Sequence, residues 1–79
     1  QNMKIKVIYL ARLSEDLDKK EEYIELAKNN PTIEDIFLVL GLNKLDYKIY
    51  SAKNYSHVKF EEQIKDGDEI VFFPTITGG

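Results

Sequence analysis

The sequence predicts an α+β domain in which one main helix covers one face of a small mixed sheet. Alternating apolar and polar residues near both ends of the chain predict strands, and one i, i+3, i+4, i+7 apolar pattern near the middle predicts a helix. A chain of 79 residues with 43% hydrophobic residues can form one small core. We therefore expect a single domain over residues 3–79, with Met3 as the natural start and residues 1–2 as an addition.

The first strand is predicted at Lys4–Ala11, in the sequence KIKVIYLA. Ile5, Val7 and Tyr9 alternate along it and share one face. The other face begins with lysines and becomes apolar towards Leu10. This change of character places an apolar surface at the end of the strand.

The stretch that follows, residues 12–30, carries two conflicting signals. Its many Glu, Lys and Leu residues favour a helix, and Ser14 is a candidate N-cap. Ile24 and Leu26, however, alternate with neighbouring residues in a way that suits a short strand paired with the first one. The local pattern slightly favours the helix and leaves the strand open.

The main helix is predicted after a turn at residues 29–31. Thr32 and Asp35 have the spacing of a capping box, and Gly41 stands where a helix C-cap glycine is expected. Between them, one apolar face is formed by Ile33, Ile36, Phe37 and Leu40.

The second half of the chain is predicted to be strands and turns. Alternation predicts a strand at Tyr47–Ala52, a turn at residues 53–56 and a short strand at residues 57–60. A tight turn at Asp66–Asp68 precedes the final strand, Glu69–Phe73. If residues 12–30 supply a strand, the order of elements is that of the β-grasp fold.

The final strand has two apolar faces, and only one of them can face the helix. We expect Ile70 and Phe72 in the core, so that Val71 and Phe73 point outwards. If the first and last strands are neighbours, Leu10 lies close to this outer pair. The sequence therefore predicts an exposed apolar patch, a feature that marks partner sites.

Pro74 ends strand pairing because it has no amide hydrogen, and the sequence TITGG follows it. Gly78 and Gly79 lack side chains, so this segment is slim enough to enter a narrow channel. We expect the reactive group to be the terminal carboxylate of Gly79. A carboxylate is a poor electrophile and needs activation, most simply by ATP to an acyl-adenylate. The sequence has no P-loop, so another protein would activate it.

The segment DGDEIVFFPTITGG closely resembles the end of the molybdopterin synthase small subunit, a ubiquitin-like sulfur carrier. The segments IKVIYLARL and PTIEDIF are similar to the corresponding parts of that family, so the resemblance runs from Met3 onwards. It implies a ubiquitin-like β-grasp fold with residues 21–27 as the second strand. Thr75 departs from the family pattern, which has a second proline, and Ser14 stands where many relatives have an arginine; Arg12 is a possible substitute.

The resemblance also implies a function in molybdenum cofactor biosynthesis. The carboxylate of Gly79 would be adenylated by a ubiquitin-activating-like adenylyltransferase, which uses ATP, and then thiocarboxylated. The carrier would insert its tail, including Gly78 and Thr77, into the large subunit of molybdopterin synthase and donate sulfur to a pyranopterin precursor. The residues expected to contact the partner proteins are Leu10, Val71, Phe73, Pro74 and Ile76.

Composition narrows the remaining possibilities. A formal net charge of -3 argues against nucleic acid as the main partner, and no apolar run is long enough to cross a membrane. The absence of cysteine excludes thiolate metal sites and is compatible with the cytoplasm, where we expect this protein. We expect no bound metal or cofactor and no catalytic side chain. His57 is expected to be a surface or strand-edge residue, and packing roles are expected for Tyr47, Tyr50 and Tyr55.

Three alternatives share this tail. A sulfur carrier of thiamin-thiazole synthesis would use the same chemistry, although such carriers are usually shorter and lack Phe-Phe-Pro. A ubiquitin-like modifier would join its terminal glycine to lysines of other proteins. A non-covalent interaction module would leave the glycines idle.

Overall fold

A computed structural model describes residues 2–74. It contains a mixed sheet of five strands, two α-helices and one short 3-10 helix: β1 (Met3–Tyr9), α1 (Ala11–Leu17), β2 (Glu21–Leu26), α2 (Ile33–Val39), the 3-10 turn (Leu42–Lys44), β3 (Tyr50–Lys53), β4 (Ser56–Val58) and β5 (Glu69–Phe73). The strand order is β2-β1-β5-β3-β4. The central pair, β1 and β5, is parallel, and the other pairs are antiparallel.

The ambiguous stretch after β1 contains both predicted elements, one after the other. α1 is followed by its C-cap residue Asp18, which adopts a left-handed conformation with φ of 57°. β2 then pairs with β1 so that Ile24 lies opposite Ile5. The prediction of one main helix was therefore incomplete, because α1 is as long as α2. The proposed N-cap role of Ser14 was wrong: Leu10 holds the N-cap position and Ser14 lies inside the helix.

The predicted caps of α2 are confirmed. The hydroxyl of Thr32 accepts a 3.3 Å hydrogen bond from the amide of Asp35, whose carboxylate accepts a 2.8 Å bond from the amide of Thr32. Gly41 follows the helix with φ of 75°. The predicted apolar face packs on the sheet, with Ile33 and Ile36 fully buried and Phe37 and Leu40 partly buried.

β3 begins at Tyr50, three residues later than predicted. Tyr50 lies opposite Phe73, the last residue of β5, so residues before Tyr50 have no partner along that strand. Tyr47 instead packs against α1: its hydroxyl donates a 2.7 Å hydrogen bond to Asp16, and the guanidinium of Arg12 lies 4.2 Å from its ring centroid. The interaction fastens α1 to the loop before β3.

The core lies between one face of the sheet and the two helices. Its central side chains come from the parallel pair, where Ile5, Val7, Ile70 and Phe72 are fully buried. This confirms the predicted inward faces of both strands. The turn before β5 is closed by the buried Asp68, whose carboxylate accepts hydrogen bonds from the amide of Lys65 and the side chain of Asn54.

Candidate functional site

The outer face of the sheet, opposite the helices, ends in an apolar surface. We call this surface the apolar patch; it is a shallow hollow lined by Leu10, Ala52, Tyr55, His57, Val71 and Phe73. Three of these residues were predicted from the sequence, and the other three come from the β3–β4 hairpin. The patch lies where β5 ends, directly before Pro74.

Strand register places the centre of the patch. Val71 lies opposite Ile8 of β1 on one side and opposite Ala52 of β3 on the other. The prediction that the first and last strands are adjacent in the sheet is therefore confirmed. Because neighbouring strands align their side chains on a common face, Val71 and Ala52 contribute to one continuous surface.

Phe73 is supported by two flanking rings. Its ring stacks against Tyr50 with centroids 6.0 Å apart, and it lies 5.2 Å from the ring of His57. These contacts restrict the orientation of a partly exposed aromatic side chain at the end of β5. His57 belongs to β4, which is an edge strand of the sheet, so its predicted strand-edge position is confirmed.

Leu10 is held at the patch by a tight corner after β1. Its amide donates a 3.1 Å hydrogen bond to the carbonyl of Phe72, and the next residue, Ala11, has a positive φ of 54°. The corner leaves Leu10 with 46% of its surface exposed. An apolar side chain fixed in this way is well suited to contact another protein.

Tyr55 does not pack as expected. It occupies the tip of the hairpin between β3 and β4, and 88% of its surface is exposed. Sequence reasoning missed it as a site residue. Its place next to Asn54, in a short loop between two alternating segments, did indicate exposure, because the tip of a hairpin loop projects from the sheet.

The other end of the outer face is charged and internally balanced. Lys6 lies 3.7 Å from Glu21 and 4.0 Å from Glu69, and the ammonium groups of Lys4 and Lys6 lie 5.3 and 6.0 Å from the ring centroid of Tyr23. The sheet face therefore changes from charged to apolar towards the end of β5. The apolar patch is therefore distinct from the charged end of the same sheet face.

The remaining predictions about the site concern the tail and bound groups. Pro74 is the last residue described, and Ile76, Thr77, Gly78 and Gly79 lie outside the described residues. Among residues 2–74, no cluster of three or more His, Asp or Glu residues is arranged to hold a metal ion. Over the same range, none of the helices combines the length and apolar character needed to span a bilayer.

The fold and the patch define a ubiquitin-like β-grasp protein with an apolar surface at the end of its last strand. The chain belongs to the ThiS family, which it matches over residues 7–79. It is 33% identical to the molybdopterin synthase sulfur carrier subunit of Escherichia coli strain K12, and the similarity covers 95% of this chain and 99% of that protein.

Solved structures support the same fold. A candidate molybdopterin converting factor subunit 1 from Pyrococcus furiosus is 25% identical, with a TM-score of 0.79 over 94% of this chain and 99% of that one. SAMP1 from Haloferax volcanii is 19% identical, with a TM-score of 0.80 over 96% and 99%. These similarities confirm the predicted β-grasp fold.

A further structure is that of a complex. It contains subunits 1 and 2 of the molybdopterin-converting factor of Helicobacter pylori. The matched chain is 20% identical to ours, with a TM-score of 0.66, and the match covers 98% of this chain and all of that chain. A protein with this fold therefore forms a complex with a second subunit.

Proposed function

We propose that this chain is the sulfur carrier subunit of a molybdopterin synthase. The observation that carries the proposal is the 33% identity to the Escherichia coli sulfur carrier subunit, which extends over nearly the full length of both proteins. The segment DGDEIVFFPTITGG, and the apolar patch to which its Val71 and Phe73 contribute, support the same conclusion. The chain would act in molybdenum cofactor biosynthesis in the cytoplasm.

The chemistry takes place at the carboxylate of Gly79. In the first step, a ubiquitin-activating-like adenylyltransferase catalyses attack of this carboxylate on the α-phosphorus of ATP, which releases pyrophosphate and forms an acyl-adenylate. A persulfide of a sulfur donor then attacks the acyl carbon and displaces AMP. Reduction of the resulting sulfur–sulfur bond by a thiol leaves a thiocarboxylate on Gly79 and a disulfide on the donor.

The large subunit of the synthase is the second partner. Gly78 and Thr77 would lie in its channel, because a slim segment can pass where larger side chains would clash. The thiocarboxylate donates its sulfur to a pyranopterin precursor. Each dithiolene contains two sulfurs, so two thiocarboxylated carriers are consumed for each product. The large subunit supplies the acid and base groups, so the carrier itself needs no catalytic side chain and no bound cofactor.

The apolar patch is the docking surface in this proposal. Leu10, Val71 and Phe73 lie on it, and Pro74 connects it to the tail. Ile76 would extend the contact into the channel. Burying this surface keeps Gly79 close to the docking site, because only six residues follow Phe73 and they limit how far Gly79 can lie from it.

A reconstituted synthase tests the proposal. The thiocarboxylated chain, the large subunit and the pyranopterin precursor should together form the dithiolene product. A variant with one extra residue after Gly79 is the matched control and should form none. Transfer of the sulfur to a thiazole precursor, with no dithiolene formed, would instead favour the carrier of thiamin synthesis. Attachment of the chain to lysines, with no dithiolene formed, would favour the protein modifier.

A further inference from the structure

The hairpin between β3 and β4 has an unusual composition at its tip. Its two loop residues, Asn54 and Tyr55, both have positive φ values, of 50° and 76°. Two-residue loops with this geometry strongly prefer Asn-Gly, because glycine adopts positive φ without a steric penalty. A bulky aromatic residue at the second position is an outlier.

Asn54 has a clear structural reason to be in this loop. Its side-chain oxygen accepts a 3.0 Å hydrogen bond from the amide of Glu69, and its side-chain nitrogen donates a 3.2 Å bond to Asp68. Its own amide donates a 2.9 Å bond to the carbonyl of Glu69. Asn54 therefore fastens the hairpin to the start of β5.

Among residues 2–74, the side chain of Tyr55 makes no hydrogen bond or aromatic contact comparable to those of Asn54. With 88% of its surface exposed, it has the highest exposure among the large hydrophobic residues described, well above the 59% of Tyr23. The folded chain therefore holds Tyr55 in a strained backbone conformation and leaves its ring in water. Strain of this kind is concentrated at functional sites.

Tyr55 lines the apolar patch together with Ala52, His57 and Leu10, and its exposure of 88% places it on the rim. Tyrosine combines a large contact area with a polar hydroxyl and only two side-chain torsions to restrict, which is why it is enriched among residues that dominate binding energy. An exposed tyrosine on the rim of an apolar hollow enlarges the area that a partner can bury.

We propose that Tyr55 is an affinity-determining contact for the large subunit, retained at the expense of the stability of the free carrier. The inference rests on the proposed function, because it takes the large subunit as the protein that covers the patch. Continuity of the Tyr55 ring with the surface that leads into the tail supports this choice. The ring extends the docking surface towards the hairpin tip beside the start of β5, away from Pro74.

The test compares two properties of the same variants. Tyr55→Gly should raise the urea midpoint of unfolding, because glycine relieves the positive φ, and should weaken binding to the large subunit by about ten- to thirty-fold in isothermal titration calorimetry. Tyr55→Asn also removes the ring but retains a residue that tolerates this conformation, so it separates loss of the ring from added backbone freedom. Tyr23→Ala, at the charged end of the sheet, should leave binding within about twofold.

The outcomes separate the inference from the function on which it rests. If the wild-type chain binds the large subunit and Tyr55→Gly and Tyr55→Asn bind equally well, the inference is wrong and the proposed function stands. If both variants bind the large subunit normally but slow adenylation by the activating enzyme, the choice of partner is wrong. A wild-type chain that does not bind the large subunit overturns both.

Discussion

The amide of Leu10 donates a 3.1 Å hydrogen bond to the carbonyl oxygen of Phe72. This bond extends the parallel pairing of β1 and β5 by one residue and places the corner after β1 beside the end of β5. Because Phe72 points into the core, its neighbour Phe73 points outwards, on the same surface as Leu10. This hydrogen bond thus connects a core residue, Phe72, to a residue of the proposed docking surface, Leu10.

Phe73 and Phe72 should have opposite roles although they are adjacent. Phe73→Ala removes a partly exposed ring from the apolar patch, so we expect binding to the large subunit to weaken by about tenfold or more, with a small loss of stability. Phe72→Ala empties a fully buried site and should lower the free energy of unfolding by about 3–5 kcal/mol. Calorimetric titration and urea unfolding measure the two effects.

Leu38→Ala is a suitable control for the binding measurement, because Leu38 is exposed on α2, on the helix side of the sheet. It should leave binding unchanged. Equal weakening by Leu38→Ala and Phe73→Ala would contradict a docking surface confined to the apolar patch.

Asp35 should make the stability of α2 dependent on acid pH. The hydrogen bond from the amide of Thr32, and secondly the nearby Lys28, lower the pKa of the Asp35 carboxyl below its usual value of 3.8. A lowered folded-state pKa stabilises the protein above the unfolded-state pKa, and this contribution is lost as the pH falls through the folded-state pKa. Below about pH 4, wild-type stability should therefore decline.

Asp35→Asn removes this titration and keeps a side-chain oxygen that can accept the same hydrogen bond. The stability difference between wild type and Asp35→Asn, measured by urea unfolding, should be largest near neutral pH and should shrink below about pH 4. A difference that stays constant down to about pH 2.5 would show that the charge of Asp35 does not stabilise the cap.

Tyr47 should affect stability at alkaline pH in the opposite direction. Partial burial, followed by the hydrogen bond to Asp16, raises the pKa of Tyr47 to about 12. A raised folded-state pKa contributes stability below the unfolded-state value of about 10, and the contribution is lost as the pH rises through the folded-state value. Tyr47→Phe should therefore be less stable than wild type at neutral pH, by about 0.5–1.5 kcal/mol, and the difference should shrink above about pH 10.

Tyr23→Phe is the matched control, because Tyr23 is exposed on β2. Absorbance titration of the phenol groups should lose a high-pH component in Tyr47→Phe. An unchanged titration curve in that region would mean that the hydrogen bond to Asp16 does not persist in solution.

Gly41 tests the C-terminal end of α2. Its φ is 75°, and a β-carbon added there would meet no atom within 4 Å, so the requirement for glycine comes from the backbone alone. Gly41→Ala should lower the free energy of unfolding by about 1 kcal/mol, and Gly41→Asn by less, because asparagine tolerates this conformation. Equal stability of Gly41→Ala and wild type in urea unfolding would contradict a left-handed Gly41.

The sequence predicted best where local and tertiary preferences agree. The capping box at Thr32 and the bounds of β5 were predicted correctly, because each is encoded by a few adjacent residues. Residues 12–30 were harder, because the helix and strand signals belong to adjacent segments that a left-handed Asp18 separates. The alternating pattern also predicted a start of β3 that is three residues too early. The true start, Tyr50, is set by pairing with Phe73, which is distant in the sequence.

The candidate site followed the same division. Leu10, Val71 and Phe73 could be predicted, because strand alternation places them on one face. Tyr55 was missed, because a tyrosine beside a strand was expected to pack, although its place in the predicted turn at residues 53–56 indicated exposure.

The central claim is that the carboxylate of Gly79 carries sulfur, and intact-mass analysis tests it most directly. The chain is incubated with ATP, a sulfur donor and its activating enzyme, with a variant lacking Gly79 as the control. The account predicts a mass increase equal to the exchange of one oxygen for sulfur in the wild-type chain and none in the variant. An unchanged mass of the wild-type chain, in the presence of an activating enzyme that charges another carrier, would contradict it.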